Sequence, residues 1–432
     1  MNEKLAINGG KPIRTKPWLE NITIGEEEKK AVSKVMDSGH LSLFEGSYKP
    51  KAPFSFWGGP TVQELEKKWC KYYGMKYAVS VNSATSGLYA AIGALDIGYG
   101  DEVIVSPYTM SACASCALVY GAIPIFADVE LETSCLQPES IEEKITPRTK
   151  AIVLVHQFGI PADMDAILEI AKKHDLKIIE DCAQAHGAKY KGKHVGTFGD
   201  ISVFSLNVNK TIQSGEGGVC LTNDEELRFR LGMIRNHGEV AVVGSDYTNI
   251  SNLLGYNYRM TELHAAVGIE QLKKLDEFNK KRLEYVKYLN ENLSKYDCFI
   301  TPEGRAGCHS TYYVYPLRYL DDKLGIKRDE FIKMMNAEGI ILYPGYARPI
   351  YLQPCYQKKI VFKNGYPFSA PENKKIKTNY YKGACPNVEK LYYEQMIVNI
   401  HVRPPNTKED MDSILKAVEK IVTNVYEVEL HT

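Results

Sequence analysis

No run of eighteen apolar residues occurs in this 432-residue sequence, so it offers no hydrophobic helix to span a membrane. The nearest approach, "CASCALVYGAIPIFADV", is broken by Gly121 and Pro124 and reads as helix, turn and strand. The opening "MNEKLAINGGKPIRTKPW" has no apolar centre, so no secretory signal is expected. Net charge is missing too: 53 basic residues balance 53 acidic ones. That balance gives no electrostatic ground for nucleic acid or a membrane surface as partner. The ten cysteines have no regular spacing, and the close pair Cys113 and Cys116 lacks a second pair or a His pair. Buried free thiols, no metal site and a cytoplasmic location follow as expectations. No H-E-x-x-H is present, and no G-x-G-x-x-G follows the first strand, which argues against zinc hydrolysis and a nicotinamide dehydrogenase. "GAKYKGKH" (187–194) approaches a P-loop, but His194 stands where Ser or Thr must hold magnesium, and no helical run follows.

What is present is ordinary globular material, 44% hydrophobic and 25% charged, long enough for one large and one smaller domain. Residues 41–60, "LSLFEGSYKPKAPFSFWGGP", read as an irregular loop rich in aromatics. Strand and helix patterns then alternate. The runs "YAVSVNS", "DEVIVSP", "AIPIFADV", "KAIVLVH", "KIIEDCAQ", "DISVFSLN" and "GGVCLTN" read as strands. Helical spacing separates most of them. Near-continuous apolar strands between helices imply an α/β fold whose parallel sheet is buried on both faces. From Thr261 the pattern turns helical and charged, and after residue 300 it becomes α+β, ending in "TKEDMDSILKAVEKIV" with a Thr407–Asp410 capping pattern. The expected division is an arm and loop over 1–60 packing on the large domain, a large domain over 61–275 and a small domain over 276–432.

Ligands of such sheets gather at the carboxyl ends of the strands. "NSATSG" ends a strand and opens a helix, so the amides of Ala84 and Thr85 suit an anion; an ordinary N-cap also fits. Asp181 ends an apolar strand and needs a partner, either a core hydrogen bond or a heterocyclic nitrogen that it keeps protonated; Gln184 lies three residues on. Lys210 follows the strand "DISVFSLN" and precedes "SGEGG", whose glycines let the backbone fold closely beneath a ligand. A desolvated lysine amine is the nucleophile of Schiff-base chemistry. An anion anchor, an acid and a buried amine together match the needs of pyridoxal 5′-phosphate (PLP).

The stretches "NSATSGLYAA", "GDEVIVSPYT", "TPRTKAIVLVHQFGIPADMD", "IIEDCAQAHGA", "GDISVFSLNVNKTIQSGEGG", "RNHGE" and "GYNYRMTELHAA" carry a resemblance over almost the whole chain. It resembles the DegT/DnrJ/StrS family of PLP-dependent sugar aminotransferases. The resemblance implies the aspartate-aminotransferase fold (PLP fold type I), with a mostly parallel sheet and a smaller C-terminal α+β domain. By position it implies Lys210 as the aldimine lysine and proton carrier. Asp181 matches the acid paired with the pyridine nitrogen, and Gln184 the neighbour of the ring hydroxyl. Ala84, Thr85 and Ser205 match the phosphate cradle, Tyr108 the stacking aromatic, and Asn257 the asparagine reaching the phosphate of a neighbouring subunit. A homodimer with shared active sites is implied.

The implied reaction takes an amino group from glutamate or glutamine, by way of pyridoxamine phosphate, to a keto-sugar, usually nucleotide-linked, or a cyclitol ketone. Asn207, where many members carry an aromatic or His, faces the implied substrate side; His186, Arg259 and His309 are further substrate-contact candidates, each with a packing or ion-pair alternative. A PLP-dependent sugar dehydratase is the first rival reading, although relatives of that kind replace the lysine with histidine. A non-catalytic PLP-binding protein is the second.

Overall fold

The pleat of the buried strands decides the architecture. The structure, a computed structural model, describes residues 3–430, with side chains to residue 425. The strands in chain order are β1 (Tyr77–Val81), β2 (Glu102–Val105), β3 (Ile123–Phe126), β4 (Thr149–Val155), β5 (Lys177–Asp181), the two-residue β6 (Lys189–Tyr190) and β7 (Lys193–His194), β8 (Ile201–Ser205) and β9 (Gly218–Thr222). All but β6 and β7 join one seven-stranded sheet, ordered β1-β9-β8-β5-β4-β2-β3. Successive side chains on a strand point to opposite faces. Val103 and Val105, Val153 and Val155, and Val203 therefore enter one apolar cluster with Leu88, Ala114, Leu118, Leu231 and Ile234. Ile104, Ile152, Leu154 and Phe204 enter a second cluster with Leu65, Trp69, Ile167 and Leu275. The helices Ala84–Ala94, Ala112–Val119 and Glu225–Arg235 thus cover one face. Pro60–Tyr73, Met164–His174 and the first half of Glu262–Leu293 cover the other. Each fully buried Val, Leu or Ile contributes about 1.5–3 kcal/mol, so unbroken apolar runs are what this sandwich demands.

Four strand pairs are parallel. Strand β9 departs from the parallel reading, running antiparallel to both β1 and β8. Its reason is local: residues 206–217, between β8 and β9, form a loop and not a crossover helix, and without a crossover a strand must return antiparallel.

A second sheet, fully antiparallel, has the order β10-β11-β13-β12. Its strands are β10 (Phe299–Ile300), β11 (Tyr315–Tyr319), β12 (Tyr343–Pro344) and β13 (Met396–Asn399). Phe331, Met335, Met411, Ile414 and Val418, on the helices Arg328–Ala337 and Lys408–Leu430, close a third apolar cluster around it. The Thr407–Asp410 cap forms: Asp410 Oδ2 accepts from the Thr407 amide at 2.7 Å and hydroxyl at 3.1 Å.

The 32-residue helix Glu262–Leu293 runs without a break from the large sheet to the small one. The N-terminal segment touches both parts. Arg14 pairs with Asp410 at 2.7 Å, and the Ala6 and Ile13 amides donate to Glu338. Farther on, the helix Glu26–Ser38 lies along Glu262–Leu293, where Gln271 donates to Glu28 at 2.8 Å. Among the described residues no helix is long and apolar enough to cross a membrane.

Candidate active site

Three strand ends and one helix start meet at the carboxyl edge of the large sheet. Gly218, the first residue of β9, lies between Val81 of β1 and Ser205 of β8 in the sheet register. A Cβ on Gly218 would stand 2.8 Å from the Ala84 amide nitrogen and 3.0 Å from the Phe204 carbonyl. Only glycine permits that approach, and it brings the Ser205 end of β8 beside the start of the helix Ala84–Ala94. Ser83 caps this helix, its hydroxyl accepting from the Ser86 amide at 3.1 Å. The cap takes a different amide from those of Ala84 and Thr85. First-turn amides have no intrahelical acceptor, so the N-cap leaves the amides of Ala84 and Thr85 free of it and does not exclude an anion there. Thr85 is exposed and Ser205 buried.

The pleat of β5 separates two adjacent acids. Glu180 faces the core, where its carboxylate accepts from the amides of Gly196, Phe198 and Gly199 at 2.6–2.7 Å and contacts His156 Nε2 at 3.1 Å. His156 Nδ1 accepts from the Ala162 amide, so Nε2 carries the proton that is donated to Glu180. Burial pushes the Glu180 carboxyl up, but His156 and these amides outweigh it and hold it below the ordinary value. Cys182 lies close enough to form a three-ligand cluster with this pair, yet the acid and imidazole are already satisfied by each other and by backbone.

Asp181 faces the opposite way. It is 5% exposed, Oδ1 accepts from the Ala183 amide at 2.9 Å, and Oδ2 accepts from the Cys113 thiol at 3.0 Å. Among the described residues it makes no ion pair. Gln184 is turned by its own contacts: Oε1 accepts from the Phe158 amide at 2.8 Å, and Nε2 donates to the Tyr346 hydroxyl at 3.3 Å. Tyr108 is fully buried, edge-on to Phe158 and Tyr346.

Lys210 sits half-buried in the loop after β8. That loop is closed by hydrogen bonds from Leu206 to Gly217, Val208 to Gly215 and Lys210 to Asn207. From outside, Asn21 Nδ2 reaches the carbonyls of Val208 and Lys210 at 3.1 and 3.0 Å. The Lys210 ammonium lies over the Tyr313 ring, 4.6 Å from its centroid, and makes no ion pair among the described residues.

Two more cations adjoin. Arg282, fully buried on the long helix, donates from one nitrogen to the carbonyls of Tyr312 and Tyr313 at 3.1 and 2.8 Å. Burial first, and then the neighbouring Arg403, pulls its pKa down to about 9. Arg403, 8% exposed, is likewise lowered by burial, and its Nε has no partner. Among the described residues neither arginine faces a carboxylate. Buried cations without a counter-charge are costly, and Asp181, without a cation among the described residues, lies near enough to Tyr346 to raise its hydroxyl, as Tyr313 does. This imbalance of unpaired charges fits a zwitterionic or anionic guest, and the acid, amine and helix start match the donor set PLP needs.

The remaining candidates are placed as follows. Asn207 donates to Glu216 at 2.9 Å on the lysine loop. Asn257 is exposed beside the cradle, its carbonyl accepting from Asn82 and its Oδ1 from Arg259 Nε at 2.7 Å. His186 is fully buried, edge-on to Trp69 and Phe204; burial, then Lys210, lowers its pKa to about 3, so it is neutral. His309 is exposed and lines a cleft of 620 Å³ with Tyr72, Lys189 and His194, away from the Lys210 loop. Tyr313, Tyr346, Arg282, Arg403 and Asn21 escaped the sequence reading, and Cys113 was read only as a buried free thiol, as it is. Only "YYVYPLRY", an aromatic run entering a strand, gave a local signal for one of them.

Against known proteins, residues 23–419 match the model of the DegT/DnrJ/EryC1/StrS aminotransferase family. GDP-perosamine synthase of Escherichia coli O157:H7 is 37% identical over 77% of this chain and 86% of its own. L-glutamine:2-deoxy-scyllo-inosose aminotransferase of Streptoalloteichus tenebrarius is 31% identical over 97% of both chains. Among solved structures, the aminotransferase from Psychrobacter cryohalolentis superposes with a TM-score of 0.79 at 31% identity, over 95% of this chain and 99% of that one. The chain belongs to the DegT/DnrJ/EryC1/StrS aminotransferase family and is an aminotransferase with the fold of the PLP-dependent members.

Proposed function

We propose that this family member binds PLP at the carboxyl edge of the large sheet and transfers an amino group from glutamate or glutamine to a keto-sugar or cyclitol ketone. The observation that carries the reading is the juxtaposition of a half-buried lysine without an ion pair and a buried acid without a cation, linked through Tyr313 and Tyr346. Bound there, PLP supplies an electron sink for the carbon that loses the amino group. The protein's own groups do the rest. Asp181 would hold the pyridine nitrogen protonated, with Gln184 toward the ring hydroxyl and Tyr108 against the ring. The amides of Ala84 and Thr85 with the hydroxyls of Thr85 and Ser205 take the phosphate at a helix N-terminus. Lys210 Nζ would take the proton from the donor Cα and deliver one to the former keto carbon of the acceptor. Arg403, beside Arg282, is the cation that meets a carboxylate of the donor.

A keto-sugar or cyclitol acceptor is supported by two relatives, one named a perosamine synthase and the other a scyllo-inosose aminotransferase. Of the substrate-contact candidates, we assign the acceptor side to Asn207 and Arg259, because His186 is enclosed by Trp69 and Phe204 and His309 lines a separate cleft. A homodimer is supported by the exposed Val240, Val243, Ile250 and Leu254 in the segment just before Asn257. Ten unbridged thiols suit a cytoplasmic setting. The long helix joins a large domain over 61–275 to a small one over 276–432.

The test is spectroscopic. Protein reconstituted with PLP is expected to show a visible absorption band that glutamine or glutamate bleaches, with release of the oxo acid. Lys210→Ala abolishes turnover while still retaining cofactor. Undiminished turnover in that variant rejects the assignment. Loss of a sugar nucleotide without consumption of an amino acid would favour the dehydratase chemistry instead.

A further inference from the structure

We propose that Cys113 is a positioning residue for Asp181, fixing through its thiol the carboxylate that receives the pyridine nitrogen; this rests on the PLP reading above. The contact is Sγ to Oδ2 at 3.0 Å, with Cys113 completely buried and Asp181 nearly so. An ionised carboxylate only accepts hydrogen bonds, so the thiol is the donor. Burial, with Asp181 adding to it, pushes the Cys113 thiol well above its ordinary value, which keeps the proton on sulfur.

The two oxygens of Asp181 are then held from two different elements. Oδ1 takes the Ala183 amide of its own turn. Oδ2 takes the S–H from the helix Ala112–Val119, which begins four residues after Tyr108. One weak bond thereby ties the acid under the ring nitrogen to the segment that carries the aromatic covering the ring. A thiol is a weak donor: it orients the carboxylate and leaves it basic, as a partner for a pyridine N–H must be. Cys116, one turn on, donates to the Cys113 carbonyl at 3.1 Å and not to the acid, so the two neighbouring cysteines have separable roles.

The experiment compares Cys113→Val, which removes the donor at similar volume, with Cys113→Ser, which keeps one, and with Cys116→Ala as control. Two quantities are read on the full-length protein: the PLP dissociation constant of the apoprotein, and the 15N shift of the pyridine nitrogen of labelled PLP when bound. Cys113→Val is expected to bind PLP about tenfold more weakly, the size of one lost hydrogen bond to a charged group. Its nitrogen shift moves toward that of unprotonated pyridine, whereas Cys113→Ser and Cys116→Ala stay near the wild type. A merely structural cysteine would lower thermal stability without moving the nitrogen shift. If Cys113→Val does not fold, Cys113→Ala gives the same comparison against Ser. Wild-type affinity and an unmoved nitrogen shift in the donorless variant overturn the inference alone. Failure of the wild-type apoprotein to take up PLP overturns the cofactor reading first, and this inference with it.

Discussion

The amine of Lys210 rests on the face of Tyr313, 4.6 Å from the ring centroid, and the tyrosine is anchored from both sides of the molecule. Its amide donates to the Phe158 carbonyl at 2.9 Å, and its carbonyl accepts from Arg282 at 2.8 Å. An aromatic face attracts a cation by about 0.5–1 kcal/mol at partly exposed sites.

Tyr313→Ala is therefore expected to slow the donor half-reaction by about fivefold, the equivalent of ~1 kcal/mol. Tyr313→Phe, which keeps the ring face, stays close to wild type. Stopped-flow bleaching of the visible band by glutamine or glutamate measures both; equal rates in the Ala and Phe variants would show that the ring does not support the amine.

Arg403→Met should raise the donor KM by about 10- to 100-fold, the scale of a charge-assisted pair, and leave PLP affinity unaltered. Arg282→Met should instead lower stability, because it also releases the carbonyls of Tyr312 and Tyr313. Steady-state kinetics beside a urea titration separates the two. A donor KM unmoved by Arg403→Met would take that arginine out of the donor site.

Stability should begin to fall on mild acidification through His186. His186 binds a proton near its ordinary 6.5 when unfolded and only near 3 when folded. The unfolded state thus takes up the extra proton, and stability present above pH 6.5 is lost progressively down to about pH 3, at up to ~1.4 kcal/mol per pH unit. Glu180 adds its share lower, below its unfolded value of 4.5, since its folded value is depressed. His186→Asn should flatten the slope of unfolding free energy between pH 6 and 5. An identical slope in that variant would count against the assignment of the proton.

Gly159 should not tolerate alanine. Its φ is +86°, and a Cβ there would meet Thr311 Oγ1 at 2.7 Å and the Tyr312 amide at 2.8 Å. Positive φ at a non-glycine residue alone costs about 1–3 kcal/mol, and the clash adds to it. A drop in unfolding midpoint, with weaker retention of PLP because the Phe158 partner of Gln184 is displaced, is the expected result. A midpoint matching wild type would show that this crossing of the two loops yields easily.

Much of this was legible in the chain because each strand of the large sheet is buried on both faces and so writes its own apolar run. Asp181, Ser205 and Lys210 could be located by counting to the ends of those runs. The direction of β9 could not, since an apolar pentamer looks the same whichever way it runs, and only the connection decides. Tyr313, Tyr346 and Arg403 were hidden for a different reason. They come from the second unit, far along the chain from Lys210, and no local periodicity records that long-range meeting. His186 shows the opposite limit: a histidine beside the acid strand looks functional in one dimension, yet the turn after β5 tucks it edge-on against Trp69 and Phe204.

The helix Glu262–Leu293 has one more implication. At 1.5 Å per residue its 32 residues make a rod of about 48 Å, and Arg282 is mounted on it two-thirds of the way along. Its unbroken ladder of hydrogen bonds ties Arg282 to the large sheet, against which the first half of the rod packs. Arg282 in turn holds the carbonyls of Tyr312 and Tyr313, so the rod sets how deep the Tyr313 ring stands against the Lys210 amine.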